Sequence, residues 1–324
     1  MAGQVDDRRF FAKALRVAAA LEEPRIAGML VEPFGLRQLS VIHATPLRSP
    51  VEGYGAPWVE SRVRTWASRG DWLGRGDDRA ARWFTTWPAL CAALGDSGGP
   101  GSVAASLVLA EVWRWLRDRL ATAAGDPAPS RRRQALVNLA APVAALVEST
   151  SLVDPAGMRR EVLGVLQGDG EDIVVCGVAV LRAEPPARWA EIGLDGLALH
   201  CAASLSADLE RPPRAPGDWS VSLPPGGCGC ELCVVLRGLL TDASRRILEW
   251  PLAEDRRRHV QARIGLAELP VTHQTRRKGR PCTLILAKTD ELFSREEDAR
   301  RQAASDLASI EGIQEKPRQA GAHK

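Results

Sequence analysis

Three cysteines stand within six residues of one another, as Cys228-Gly229-Cys230-x-x-Cys233, and His259 follows after 25 intervening residues. Thiolate and imidazole are the ligands a zinc ion takes, four at a time, at the corners of a tetrahedron. A Cys-x-Cys-x-x-Cys knuckle supplies three of them from one tight turn. The fourth must return from elsewhere, and His259 returns after about one helix and loop. His273 and Cys282 are alternative fourth ligands. Gly226, Gly227 and Gly229 are expected to let the backbone fold closely around an ion. A site with four protein ligands is closed, so the ion would be structural, with no open position for catalysis, and its binding would contribute to folding. Redox-active thiols and a metal-free buried cluster are the competing readings of the same spacing.

Other chemistry is sparse. The five histidines are His43, His200, His259, His273 and His323, and none has Asp or Glu two residues later. The His-x-carboxylate start of an iron facial triad is therefore missing. So are a Gly-x-Ser-x-Gly elbow, a phosphate loop and His-Glu-x-x-His. Two basic runs could contact phosphates: Arg256-Arg257-Arg258 ahead of His259, and Arg276-Arg277-Lys278-Gly279-Arg280 further on. A solvated helix face or turn is the ordinary explanation of both.

The frame that must position these residues follows from composition and periodicity. The chain has 324 residues, 45% hydrophobic and 26% charged, with net charge +3. These are globular values that leave room for a substantial core. A global electrostatic case for binding nucleic acid or a membrane fails at +3, and only local patches could make one. The start, MAGQVDDRRFFAKALRV, has early acidic residues and interrupted apolar positions, unlike a signal peptide. No run approaches the roughly 18 uninterrupted apolar residues of a membrane span. The expected location is the cytoplasm, where a tight cysteine cluster suggests metal or redox chemistry more than a disulfide framework.

Apolar residues at helical spacing recur through the first two hundred positions. Leu109, Val112, Leu116 and Leu120 lie on one face, as do Leu136, Leu139, Val143 and Leu146. Asp154-Pro155 reads as a helix start. Residues 173–181 could suit a strand by their β-branched content, but their helical neighbours favour a buried helix. Tryptophans crowd residues 58–87 and should fill a helical core. Cys201 lies on an apolar stripe and reads as a small core residue. The proline- and glycine-rich stretch 211–227 marks a linker or an ordered crossover, with Trp219 placed to pin it to one of the domains. After it come a short helix, a helix carrying His259, a β-hairpin turning near Lys278-Gly279, and a terminal helix over about 290–310.

The expected fold is thus mainly α. Residues 1–210 form a helical bundle or irregular α-solenoid, 211–227 a linker, 228–311 a small α+β module held by one zinc, and 312–324 a frayed tail.

The runs CGCELC, RRRHV and THQTRRKGRPCTLILAKT permit a comparison. Together they resemble the C-terminal region of large proteins whose N-terminal part is a prolyl-hydroxylase-like 2-oxoglutarate/iron oxygenase domain. That region is similar in its cysteine knuckle, its Arg-Arg-His helix and a strand pair patterned like Thr275, Arg277, Gly279, Pro281, Thr283, Leu284 and Lys288. The resemblance covers about the last third of the chain and implies Cys228, Cys230, Cys233 and His259 as the metal set. It does not imply oxygenase activity, because the iron triad is missing; it implies an accessory region without its enzyme.

The expected function is a non-enzymatic interaction or scaffold protein with a protein partner, a structural zinc, and neither a membrane nor a small-molecule substrate. The alternatives are nucleic-acid binding through Arg256, Arg257, Arg258, Arg276, Arg277, Lys278 and Arg280, or service as an accessory subunit of a 2-oxoglutarate/iron oxygenase.

Overall fold

The structure is a computed structural model, and it describes residues 2–68, 83–94, 100–153, 157–168, 170–221, 228–278 and 281–320. The Asp154-Pro155 helix start, Trp72, Gly226, Gly227, Gly279 and Arg280 lie outside the described residues. The chain is mainly α with one three-stranded sheet, and it forms two compact units. The first comprises residues 1–121 and 136–198, the second 122–135 and 199–324. This division falls upstream of the expected linker at 211–227.

In the first unit, helices α1 (Ala2–Ala19), α2 (Pro24–Val31), α3 (Ala44–Tyr54) and α4 (Ala56–Ser68) surround an aromatic core. Phe11 stacks on Phe34 at 4.3 Å and meets Trp66 edge-on at 5.3 Å. Trp66 is fully buried, and its indole N–H donates to the Val31 carbonyl at 2.9 Å. That bond satisfies the one polar atom the ring carries inward. Helix α5 (Trp87–Leu94) adds Trp87, which packs edge-on against Trp83 at 5.0 Å. The tryptophan-rich core expected from the sequence is present.

Helix α6 (Pro100–Ala124) buries Leu109, Val112, Leu116 and Leu120, the stripe expected of it. Helix α7 (Pro129–Leu152) continues through Pro142 and, among the described residues, is the one helix long and apolar enough to cross a membrane. Its apolar window is 56% buried inside the protein, which explains that apolarity as core. Helices α8 (Met158–Leu166), α9 (Glu171–Ala183) and the one-turn α10 (Trp189–Ile192) follow, so residues 173–181 are helical. Helix α11 (Asp195–Glu210) carries Cys201, which is buried as a core residue; burial pushes its thiol up to about 12 and leaves it inert.

The second unit holds α12 (Glu231–Thr241), β1 (Ile247–Pro251), α13 (Glu254–Leu266), β2 (Val271–Arg276), β3 (Thr283–Lys288) and α14 (Glu291–Ala320). The sheet is antiparallel in the order β1-β3-β2, with Leu248 opposite Leu286 and Thr275 opposite Leu284. The hairpin β2–β3 is the expected one. Strand β1 was not expected: it is five residues long and ends on Pro251, which an edge strand tolerates because that edge needs no ladder donor. Leu236, Leu239 and Leu240 from α12, Val260 and Ile264 from α13, and Leu284 and Leu286 from β3 form one core cluster. Helix α14 runs to Ala320, beyond the expected end near 310.

Residues 211–221 do not behave as a free linker. Arg214 pairs with Glu296 of α14 at 2.7 Å, and its guanidinium also donates to the Ser220 carbonyl at 2.6 Å. The Trp219 and Val221 amides donate to the Ala243 and Leu240 carbonyls. Trp219 lies edge-on against Phe293, with the Arg246 guanidinium 4.2 Å from its ring centroid. Prolines exclude helix here, but side-chain and backbone bonds fix the segment as a strap of the second unit.

Candidate metal centre

Helix α12 begins at Cys230, whose extended backbone (φ −70°, ψ 157°) makes it the N-cap residue and whose carbonyl accepts the Val234 N–H at 3.1 Å. Cys233 therefore sits in the first helical turn, and Cys228 lies on the non-helical chain just before it. Leu232 packs on the core cluster between them, which holds the turn against the module. From the other side, α13 buries Val260 and Ile264 and so presents His259, the residue before Val260, at the module's margin.

The four side chains converge. Cys228 Sγ lies 3.2 Å from both Cys230 Sγ and Cys233 Sγ, and His259 Nε2 lies 3.4 Å from each of the three sulfurs. All four ligand atoms fall within 4.8 Å of one another. Zinc–sulfur bonds of about 2.3 Å and a zinc–nitrogen bond of about 2.0 Å, set tetrahedrally, require S···S and S···N separations of about 3.8 and 3.5 Å. The observed sulfur–nitrogen edges already match. The sulfurs need to spread by only a few tenths of an ångström each. Soft donors, four in number and closely spaced, fit one tetrahedral ion.

The electrostatics favour a cation. S–H groups donated by Cys230 and Cys233 hold the Cys228 thiol below its usual range, and Arg263 adds to the effect. Burial, then the two neighbouring thiols, push Cys233 up to about 12. Crowding thus permits one thiolate and resists the next. A dication in the middle removes that resistance, and its binding would release protons. The amino-terminal end of α12, where the macrodipole is positive, further favours thiolate.

His259 is the histidine that meets the knuckle. His273 stands on the exposed face of β2, where its Nδ1 is 3.3 Å from Gln261 Nε2, and the Cys282 thiol is not among the converging groups. One expectation about the turn needs correcting. Gly229 has no positive φ, and a Cβ built on it meets no atom within 4 Å, so no steric demand for glycine exists at that position.

The basic side chains do not form one free patch. Arg257 donates to the Leu252 carbonyl at 2.6 Å, Arg258 pairs with Glu254, and Arg276 embraces the Glu249 carboxylate with both terminal nitrogens. Arg256, Arg277 and Lys278 remain exposed to solvent.

Comparison with known proteins adds no relative. No family model, no curated protein and no solved structure matches this chain. What the centre can do is therefore read from its own atoms.

A second polar centre escaped the sequence reading. Lys288, at the end of β3, is 1% exposed, and its Nζ donates to the Leu240 carbonyl at 3.2 Å and the Asp242 carbonyl at 2.7 Å. It satisfies carbonyls at the carboxyl end of α12, where a cation also complements the helix dipole. The signal was present. In Thr283-Leu284-Ile285-Leu286-Ala287-Lys288, the period of two that sends Leu284 and Leu286 inward sends Lys288 inward as well.

Proposed function

We propose that this chain is a non-enzymatic interaction protein whose C-terminal unit is clasped by one structural zinc ion. The observation that carries the zinc half is the convergence of three thiols and one imidazole nitrogen within 4.8 Å. All four corners of a tetrahedron are then taken by protein, which leaves no position for a substrate or an activated water. The ion would join the start of α12 to the middle of α13.

The partner half is supported by α2. Its Ala27, Gly28 and Val31 are buried, whereas Ile26, Met29 and Leu30, at helical spacing on the other side, are exposed, Met29 at 63%. Phe10 of α1, also exposed at 64%, packs near Phe34 just beyond α2. Clustered apolar side chains left to water are a common mark of a protein-binding face.

Cobalt substitution tests the zinc half. Cobalt(II) added to metal-free full-length protein should give the intense visible absorption of a tetrahedral site and sulfur-to-metal charge transfer, both abolished by added zinc. Weak octahedral absorption would refute a closed Cys3His site. For the partner half, Ile26→Ser and Met29→Ser should leave stability within about 0.5 kcal/mol, since both are surface changes. They should also remove whatever chain co-purifies with the wild type; retention of that chain by the double variant would refute the assignment of this face.

A further inference from the structure

The zinc clasp is unevenly shielded. Cys228 is exposed while Cys230, Cys233 and His259 are half-buried. Cys228 also precedes the helix, so its sulfur can move without unwinding α12. Its two nearest sulfurs are each 3.2 Å away, and a disulfide bond is about 2.05 Å long, so closure requires an approach of only about 1.2 Å. All seven cysteines are free thiols in the structure, and Cys91, Cys176 and Cys201 are buried away from reagents. The reactive sulfur and the sulfur that would resolve it thus lie side by side at the surface.

We propose that the Cys3His centre is an oxidation-sensitive clasp, in which hydrogen peroxide converts Cys228 and Cys233 to a disulfide and expels the ion. This rests on the zinc reading above. In the first step the Cys228 sulfur attacks one peroxide oxygen. The O–O bond breaks, an S–O bond forms, and hydroxide departs, leaving a sulfenic acid. In the second step the Cys233 thiolate displaces hydroxide from that sulfur and the S–S bond forms. Two thiolates have then lost two electrons to one peroxide, which with two protons becomes two waters. Zinc stays divalent throughout and leaves because two of its four ligands are gone. Cys233 resolves in preference to Cys230 because a Cys-x-Cys disulfide closes a very short, strained ring, whereas four residues separate Cys228 from Cys233.

Loss of the ion uncouples the first turn of α12 from α13. The core cluster below is untouched, since none of its members is a ligand. The result is local loosening of one helix end, reversible by a thiol reductant and zinc.

The experiment treats zinc-loaded full-length protein with hydrogen peroxide beside a colorimetric chelator too weak to strip the untreated protein. Released zinc and the non-reducing peptide map are read together. About one zinc is expected per Cys228–Cys233 disulfide, with faster amide exchange confined to the start of α12 and the His259 turn of α13. Cys282→Ser, outside the centre, should behave as wild type. Zinc retained with reduced thiols, at a peroxide dose that oxidises the urea-unfolded chain, overturns the proposal and leaves the zinc site standing. So does zinc release with sulfinic acid and no disulfide. A chain that neither carries nor takes up zinc overturns both readings.

Discussion

Replacing Lys288 by methionine removes the ammonium and its N–H donors while keeping most of the buried stem, so it isolates what the head group does. The two carbonyls it serves, those of Leu240 and Asp242, lose their donor inside a site where Lys288 is 1% exposed. Hydrogen bonds to a charged donor contribute about 1.5–3 kcal/mol each, and stranded buried acceptors cost about 1–3 kcal/mol. Against this, burial penalises the ammonium itself and lowers its pKa, although Asp242 and Asp218 oppose that shift. The balance is a net loss of about 2 kcal/mol for Lys288→Met, or roughly 5–10 °C in the melting of the second unit. Calorimetry of the zinc-loaded protein would read it. A further check is alkaline pH. Burial lowers the folded pKa of Lys288 below the unfolded value. As pH rises through the folded value, only the unfolded chain keeps the proton, so wild-type stability gains a contribution up to the unfolded value of about 10.4. The methionine variant should lack that gain. A variant as stable as wild type, or more so, would mean that desolvation outweighs the bonds, and the role given to Lys288 would be refuted.

His43 makes a converse case in the first unit. It is fully buried; its Nδ1 accepts the Ser40 amide at 3.0 Å, which assigns the Nε2 proton to the Arg8 carbonyl at 2.9 Å, and burial lowers its pKa. The unfolded histidine therefore protonates first, and stability should fall as pH drops below about 6.5 until the folded value is passed; His43→Gln should flatten that part of the melting-temperature profile, and an unchanged slope would assign it elsewhere. Zinc affinity should weaken steeply on acidification, because Cys230 and Cys233 as well as Cys228 must lose protons to bind; competition titrations across pH 6–8 giving a flat affinity would exclude thiolate ligation. Neutralising Arg256, Arg277 and Lys278 together tests the phosphate-contact alternative: binding of a DNA or RNA duplex that is salt-dependent in wild type and lost in the variant would favour it, and no binding in either is expected here.

Much of this architecture was legible because it is local. Stripes such as Leu109, Val112, Leu116 and Leu120 fix helices and their buried faces by spacing alone, and all four are buried. The convergence of Cys228, Cys230, Cys233 and His259 was legible for a similar reason, since three of them lie within one turn and the fourth lies one element away. Non-local bonds were not legible. Strand β1 exists because β3 offers it an edge, which no pattern within Ile-Leu-Glu-Trp-Pro declares. The 211–221 strap is held by Glu296, some eighty residues on, so its prolines alone could not decide between a linker and an ordered crossover. His43 depends on Arg8, 35 residues earlier. The basic runs were legible in part: Glu254 pairs Arg258 one helical turn on, as spacing allows, whereas the pairing of Arg276 with Glu249, 27 residues earlier, depends on the sheet.

On the proposed reading, Cys228, Cys230, Cys233 and His259 hold one zinc ion that stabilises the second unit. Elemental analysis of the tag-free full-length protein, beside Cys230→Ser and His259→Ala, tests it most directly. The expected result is about one zinc per wild-type chain, little or none in either variant, and a lower melting temperature for the second unit that chelation reproduces in the wild type. A wild-type chain purified without metal, taking up none on addition and melting identically with and without chelator, would contradict it.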